Sequence, residues 1–221
     1  LTAALTEYLE SVFEHQLYPV LTPVAVEGAD DLPSLPGLGL NLLVRLKGEG
    51  ESKKPRYAVV VIPRKLGRFI TLPIDEGHNY LPIEEVAMEF IQRLFPGEPV
   101  TEVVPFRITR NADMSVREDL AGDLLAEMKQ VLTARKHRDC VRLEVPNSIS
   151  KTSLAFLQAT LDARDDFVFA VPGPLDFSSW MGLSRMTGFD HLRDKPWPPQ
   201  PTPAIRPGET MFQTLARGDL L

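Results

Sequence analysis

The sequence predicts an α+β fold: a mainly antiparallel sheet covered by helices, followed by a proline-rich C-terminal strap. Three observations point there. Short apolar runs alternate with period two, longer ones repeat at helical spacing, and six of the twelve residues from 196 to 207 are proline. The joins look like hairpins and loops, with few clean strand–helix–strand units, so an all-parallel sheet is not expected.

Taken in order, Leu5, Tyr8, Leu9, Val12, Phe13 and Leu17 share one face of a helix over 5–17. Pro19 ends that helix, because its ring blocks the preceding turn and removes a donor, and Thr22-Pro23 forces an extended segment. Residues 30–39, with Pro33, Pro36, Gly37 and Gly39, form a loop. Leu40, Leu42, Val44 and Leu46 alternate in one strand and Tyr57, Val59 and Val61 in the next, joined as a hairpin through Lys47–Pro55. A short third strand is expected over 68–72. Ile83, Val86, Phe90, Ile91, Leu94 and Phe95 mark a helix closed by Pro96-Gly97.

Val104, Phe106 and Ile108 give another strand. Ser115 and Glu118 then form a capping box for a long helix carrying Leu120, Leu124, Met128, Val131 and Leu132. A strand over 141–145 follows, and then a helix capped by Ser150 with Leu154, Leu157 and Leu161 on one face. Phe167, Phe169 and Val171 suggest one more strand, and Asp176 can cap a short helix through Trp180. The proline run bars helix and central strand alike, and a further helix begins at Phe212. The organisation expected is one domain over 1–195 and, over 196–221, a linker with the start of the next domain.

Composition is that of a globular protein: 221 residues, 43% hydrophobic and 24% charged. No stretch approaches the roughly 18 apolar residues of a membrane-spanning helix. The formal net charge of −6 argues against a dedicated nucleic-acid binder. That charge is uneven: Arg45–Arg68 carries +6 and the remainder −12. A basic edge of this kind suits a polyanion, although lysines on a hairpin also serve to discourage edge pairing.

Catalytic patterns are missing. Gly37-Leu38-Gly39 begins a phosphate loop, but Leu42 stands where a third glycine belongs, and no Gly-Lys-Ser/Thr occurs. His15, His78, His137 and His191 are scattered and form no spaced ligand set. His15 falls off the apolar face of its helix. His137 lies in a basic run that lowers its pKa, and only His191 has an acidic neighbour, Asp190. The single cysteine, Cys140, is expected to be a buried structural thiol. No catalytic, cofactor-binding or metal-binding residue is therefore assigned. Candidate anion-facing residues are Arg107, Arg110, Arg64, Lys65 and Arg68, because guanidinium forks match phosphate oxygens. On a strand Arg107 and Arg110 would face opposite ways, and Arg110 can instead pair with Asp113 or Asp119.

Several segments, in order along the chain, carry a family resemblance. They are Leu17-Tyr18-Pro19-Val20-Leu21-Thr22-Pro23, Leu38-Gly39-Leu40-Asn41-Leu42, Leu66-Gly67-Arg68-Phe69, Leu94-Phe95-Pro96-Gly97, Phe106-Arg107-Ile108-Thr109-Arg110-Asn111-Ala112-Asp113 and Gly173-Pro174-Leu175-Asp176. The chain resembles the middle, or head, domain of long-chain polyphosphate kinases. Gly218 departs from that pattern, where the family usually carries a larger charged residue.

The resemblance implies a parent enzyme that transfers the terminal phosphate of ATP to polyphosphate through a phosphohistidine, with Mg2+. Its histidines, metal ligands and nucleotide contacts would lie in C-terminal domains beyond this chain. The implied role here is non-catalytic: an oligomer-forming scaffold with a fold similar to phox-homology domains, partnered by the remaining domains of the kinase, by a second copy and by polyphosphate. A cytoplasmic setting follows, with peripheral membrane association of the parent. The alternative is an independent polyanion- or phosphoinositide-binding module using 45–68. Apolar surfaces around Phe13 or Trp197 are expected to be left for other domains to cover.

Overall fold

The computed structural model describes residues 2–48, 54–74, 77–111, 140–200 and 202–219. The chain divides into two compact units, Leu1–Trp180 and Met181–Leu221, earlier than the division at 195 expected from the proline run.

In the first unit the strands are β1 (Pro23–Val26), β2 (Leu40–Leu46), β3 (Arg56–Val61), β4 (Phe69–Thr71), β5 (Tyr80–Pro82), β6 (Val100–Arg110), β7 (Cys140–Pro146) and β8 (Val168–Val171). Six of them form one sheet in the order β1-β3-β2-β6-β7-β8, while β4 and β5 pair by themselves. The expected β2–β3 hairpin is present, with Leu42 opposite Val60. The third strand expected after it, β4, joins β5 instead of extending the hairpin.

The large sheet is antiparallel except at one edge. There β7 and β8 run parallel, with Leu143 opposite Val168. A hairpin cannot join parallel strands. The helix over Lys151–Leu161, which lies between them in the chain, makes the crossover, so this edge is the strand–helix–strand unit that the sequence pattern did not reveal.

Helix α1 (Ala3–Val12) starts at Thr2, whose hydroxyl accepts from the Leu5 amide, and it widens into a π-helical turn over Phe13–Leu17. Helix α2 (Ile83–Phe90) has Glu84 and Glu85 in its first turn, where the helix dipole favours negative charge. A tighter 3-10 turn, Ile91–Leu94, completes it. Helix α3 (Lys151–Leu161) is capped by Ser150 as expected and ends at Asp162 in the left-handed region, φ 50°. The long helix expected after Ser115 lies outside the described residues.

Two apolar cores flank the sheet. One gathers Leu9, Phe13 and Leu17 with Val86 and Ile91 against Leu42, Val44 and Val60. The other sets Leu157 and Leu161 against Leu43, Val59, Phe106 and Leu143. The central strand β2 is therefore buried on both faces, which its simple alternation did not predict. Phe13, expected to lie on a docking surface, is fully buried in the first core.

In the second unit, α4 (Met211–Leu215) opens with a reciprocal capping box between Thr210 and Gln213. Arg217 anchors it through Glu209 at 2.6 Å and the Ala204 carbonyl at 3.0 Å. Among the described residues from 196 to 207 none lies in a helix or strand, and Trp197 is 85% exposed. No helix of the described residues is long and apolar enough to cross a membrane.

Candidate functional site, a guanidinium-lined cleft

The site starts from a row of side chains across the sheet. Leu40 on β2 stands opposite Arg107 on β6, Arg107 opposite Glu144 on β7, and Glu144 opposite Phe169 on β8. Directly opposed residues of neighbouring strands share a face, so these four lie together. Arg107 donates from Nε to the Leu38 carbonyl at 3.1 Å, pairs through Nη1 with Glu144 at 3.2 Å, and holds Nη2 3.4 Å from Asp176. Arg142 reaches the other Glu144 oxygen at 2.6 Å and lays its guanidinium over the Phe169 ring at 3.8 Å. One carboxylate thus bridges two guanidiniums.

The segment after β3 supplies two more cations. Pro63–Leu66 is a turn closed by the Leu66 amide on the Pro63 carbonyl at 3.1 Å. From it the exposed Arg64 donates to the Gly37 carbonyl at 2.7 Å. Arg68 forms an ion pair with Glu84, which is 2% exposed, and donates to the Leu175 carbonyl at 3.0 Å. Burial pushes the Arg68 guanidinium below its ordinary pKa, against the charges of Asp176 and Glu85.

Asp176 closes the far side. It sits in the left-handed region, φ 58°, and accepts the Ser178 hydroxyl at 2.5 Å and the Ser179 hydroxyl as well. Burial would raise its pKa. The two hydroxyls, with Arg107 and Arg68, outweigh burial and hold the carboxyl below its usual range.

Arg64, Arg68 and Arg107 line a single cleft of about 420 Å³, with Asp176, Ser178 and Ser179 opposite and Leu40, Ile62 and Ile83 among its apolar residues. Gly39 belongs to this wall. A Cβ there would come within 2.7 Å of the Pro36 ring, so the turn into β2 admits only glycine without rearrangement.

The five candidate anion-facing residues divide. Arg107, Arg64 and Arg68 converge on the cleft. Lys65, in the same turn, is exposed and does not line it. Arg110 lies beyond a register shift at Thr109/Arg110, opposite Cys140, and does not line it either. Its proposed partners Asp113 and Asp119 lie outside the described residues. Sequence reasoning did not assign Asp176, Glu84 or Glu144 to the site. The Gly173-Pro174-Leu175-Asp176 motif signalled the first, but nothing in the sequence says which arginine it meets.

The basic run 45–68 looks different once folded. Arg45 pairs with Glu102 at 3.4 Å, Arg56 with Glu98, and Arg68 with Glu84. Three of its cations are neutralised by carboxylates from elsewhere in the chain. Glu102 also accepts the Ser150 amide and the hydroxyls of Ser150 and Ser153 at 2.6–2.8 Å. Burial opposes ionisation there, yet these bonds and Arg45 hold its pKa down.

His15, His78 and His191 are exposed. His15 Nδ1 lies 2.8 Å from the Ser11 carbonyl, and Asp190 pairs with Arg193 at 2.9 Å. His137 lies outside the described residues. Cys140 is buried as expected, and burial pushes its thiol pKa up. Among the described residues no three His, Cys, Asp or Glu side chains gather as metal ligands. The cleft, dominated by cations, does not fit Mg2+.

The profile described as polyphosphate kinase middle domain matches residues 4–183. The chain belongs to that family. Polyphosphate kinase from Mycobacterium leprae is 38% identical over 233 residues, covering 97% of this chain and 31% of that protein. The polyphosphate kinases of Halalkalibacterium halodurans (37% identical; 96% of this chain, 31% of that protein) and Rhodopirellula baltica (36%; 78% and 23%) are similar. The crystal structure of polyphosphate kinase from Porphyromonas gingivalis superposes with a TM-score of 0.69 at 17% identity, covering 99% of this chain and 31% of that one, which is a likeness of fold. The chain spans under a third of the length of these relatives.

Proposed function

We propose that this middle domain is a non-catalytic, oligomer-forming scaffold within a longer polyphosphate kinase, whose full-length form transfers the terminal phosphate of ATP to polyphosphate. The observation that carries this is the end-to-end alignment of the chain with about 31% of the length of proteins named polyphosphate kinase. The cleft supports it from the other side. Two of its three guanidiniums, Arg68 and Arg107, are committed to carboxylates and carbonyls.

In this reading the phosphorylated histidines, ATP and Mg2+ belong to polypeptide outside the chain. Residues 196–221 are the proline-rich linker and the start of the following catalytic domain, and the family resemblance carries with it a fold similar to phox-homology domains. The remaining domains and a second copy are the partners. The setting is cytoplasmic, with peripheral membrane contact of the parent enzyme.

Two measurements on the 221-residue chain test this. Incubation with ATP labelled at the γ-phosphate is expected to give neither polyphosphate nor acid-labile phosphohistidine, and light scattering on a sizing column is expected to give more than a monomer mass. Labelled polymer from the chain alone refutes the non-catalytic role, and a monomer at every concentration refutes the oligomer-forming one. The second reading, a polyanion- or phosphoinositide-binding module spread over 45–68, is weakened by the pairing of Arg45, Arg56 and Arg68. What survives of it is local to the cleft.

A further inference from the structure

We propose that the cleft between Leu38, Arg64, Arg107 and the 176–179 turn is a binding site for a phosphoryl oxyanion, with Arg64 as its principal ligand and Asp176 as the internal group the ligand competes with. Arg64, Arg68 and Arg107 all line the cleft, and carboxylates balance Arg68 (Glu84) and Arg107 (Glu144 and Asp176), so Arg64 is the lining guanidinium with no ion pair among the described residues. The three come from two separate segments, Arg64 and Arg68 after β3 and Arg107 on β6. Their convergence is a product of the fold and not of a charge run.

The donors are unequally occupied. Arg107 spends Nε and Nη1 on Leu38 and Glu144, but its Nη2 meets Asp176 only at 3.4 Å, long for a charged hydrogen bond. Arg68 Nε is buried with no acceptor among the described residues. Among the described residues Arg64 makes a single hydrogen bond, to a backbone carbonyl, so most of its fork remains to be offered. The Ser178 and Ser179 hydroxyls donate to Asp176, so a ligand gains them only by displacing that carboxylate. A guanidinium fork with donors to spare matches phosphoryl oxygens in a bidentate manner.

Backbone strain marks the same place. Non-glycine residues at positive φ are uncommon and gather at ligand clamps. Three occur among the described residues. Asp162 ends α3, as such residues often do. The other two, Leu38 at φ 62° and Asp176 at φ 58°, both line the cleft. Leu38 is held there by its amide on the Ile108 carbonyl and by Arg107 on its own carbonyl. At about 420 Å³ the cleft has room for a phosphoryl group with a substituent, either further phosphates or a headgroup.

The site stands independently of the scaffold reading, since a scaffold needs no anion and an anion site needs no oligomer. Sodium tripolyphosphate is titrated calorimetrically into the 221-residue chain at low salt, beside vesicles of phosphatidylcholine with and without phosphatidylinositol phosphate. Saturable one-to-one binding that weakens with added salt is expected from at least one phosphoryl source. Tripolyphosphate alone identifies a free condensed phosphate, and the phosphoinositide vesicles alone a headgroup.

Arg64→Gln, at an exposed position and so of small consequence for folding, is expected to weaken binding at least about tenfold, the scale of one charge-assisted hydrogen bond. Lys54→Gln, exposed in the same basic run but outside the cleft, is expected to leave it unchanged. Asp176→Asn keeps a side chain tolerated at positive φ and is expected to strengthen binding by removing the competitor. Binding to neither source, or equal loss in Arg64→Gln and Lys54→Gln, overturns the proposal.

Discussion

On the face of the sheet that meets α3, apolar side chains run without a break from β1 to β7, through Val26, Val59, Leu43, Phe106 and Leu143. On the opposite face the fully buried strand residues end at β2, with Leu42 and Val44 beneath α1 and α2. Arg107, Glu144 and Arg142 take over beyond it. The same strands thus present an apolar face across their width and a face that is half apolar, half ionic. The α3 face can be explained by burial alone. The ionic half cannot, because an ion pair in a protein interior contributes little net stability against its desolvation. Charge kept there is what the proposed oxyanion site would use.

Substitutions can test that contrast. The largest effect is expected on the α3 face: Phe106→Ala should lower unfolding free energy by about 3–5 kcal/mol, read by urea denaturation, because a buried aromatic leaves a cavity. A change far below that would mean the second core is not close-packed. On the opposite face, Arg68→Met should cost a similar amount, about 3–5 kcal/mol, since it strands the Glu84 carboxylate. Replacing both partners, Arg68→Met with Glu84→Met, should recover most of the loss. A double variant as unstable as the single one would show that the pair stabilises on its own account.

Glu102→Gln should cost about 1–3 kcal/mol, by weakening its hold on the start of α3. It should also change the acid response. The folded-state pKa values of Glu102 and Asp176 are lowered. Their contribution is therefore complete above the unfolded carboxylate range, about pH 4–4.5, and is lost as the pH falls through the lower folded values. Thermal stability of the parent chain should drop over that window, and less steeply in Glu102→Gln. An identical slope would remove Glu102 from the account. The smallest effect belongs to Arg56→Gln, whose half-exposed pair with Glu98 should be worth under about 1 kcal/mol.

Much of the fold was legible in periodicity. The α1 face, the β2–β3 hairpin and the Ser150 cap all follow from spacing and local chemistry, which act over a few residues. The parallel β7–β8 edge was not legible, because Phe167, Phe169 and Val171 alternate alike in a parallel or an antiparallel strand. Two faces buried on β2 were likewise hidden, since Asn41 and Leu43 read as the outward half of an alternating pattern until α3 covers them.

The family was readable too, from motifs in order, and Arg107, Arg64 and Arg68 were named as candidates from residue type alone. Sequence by itself determined the local elements, the lineage and a supply of guanidiniums. Only the tertiary structure decided which of those cations are spent and which are offered. Coulomb and hydrogen-bond energies depend on distance through space, and the contact between Arg68 and the Leu175 carbonyl joins residues 107 apart in the chain. The same folding that gave Arg45, Arg56 and Arg68 their carboxylates left Arg64 lining a cleft with one hydrogen bond among the described residues.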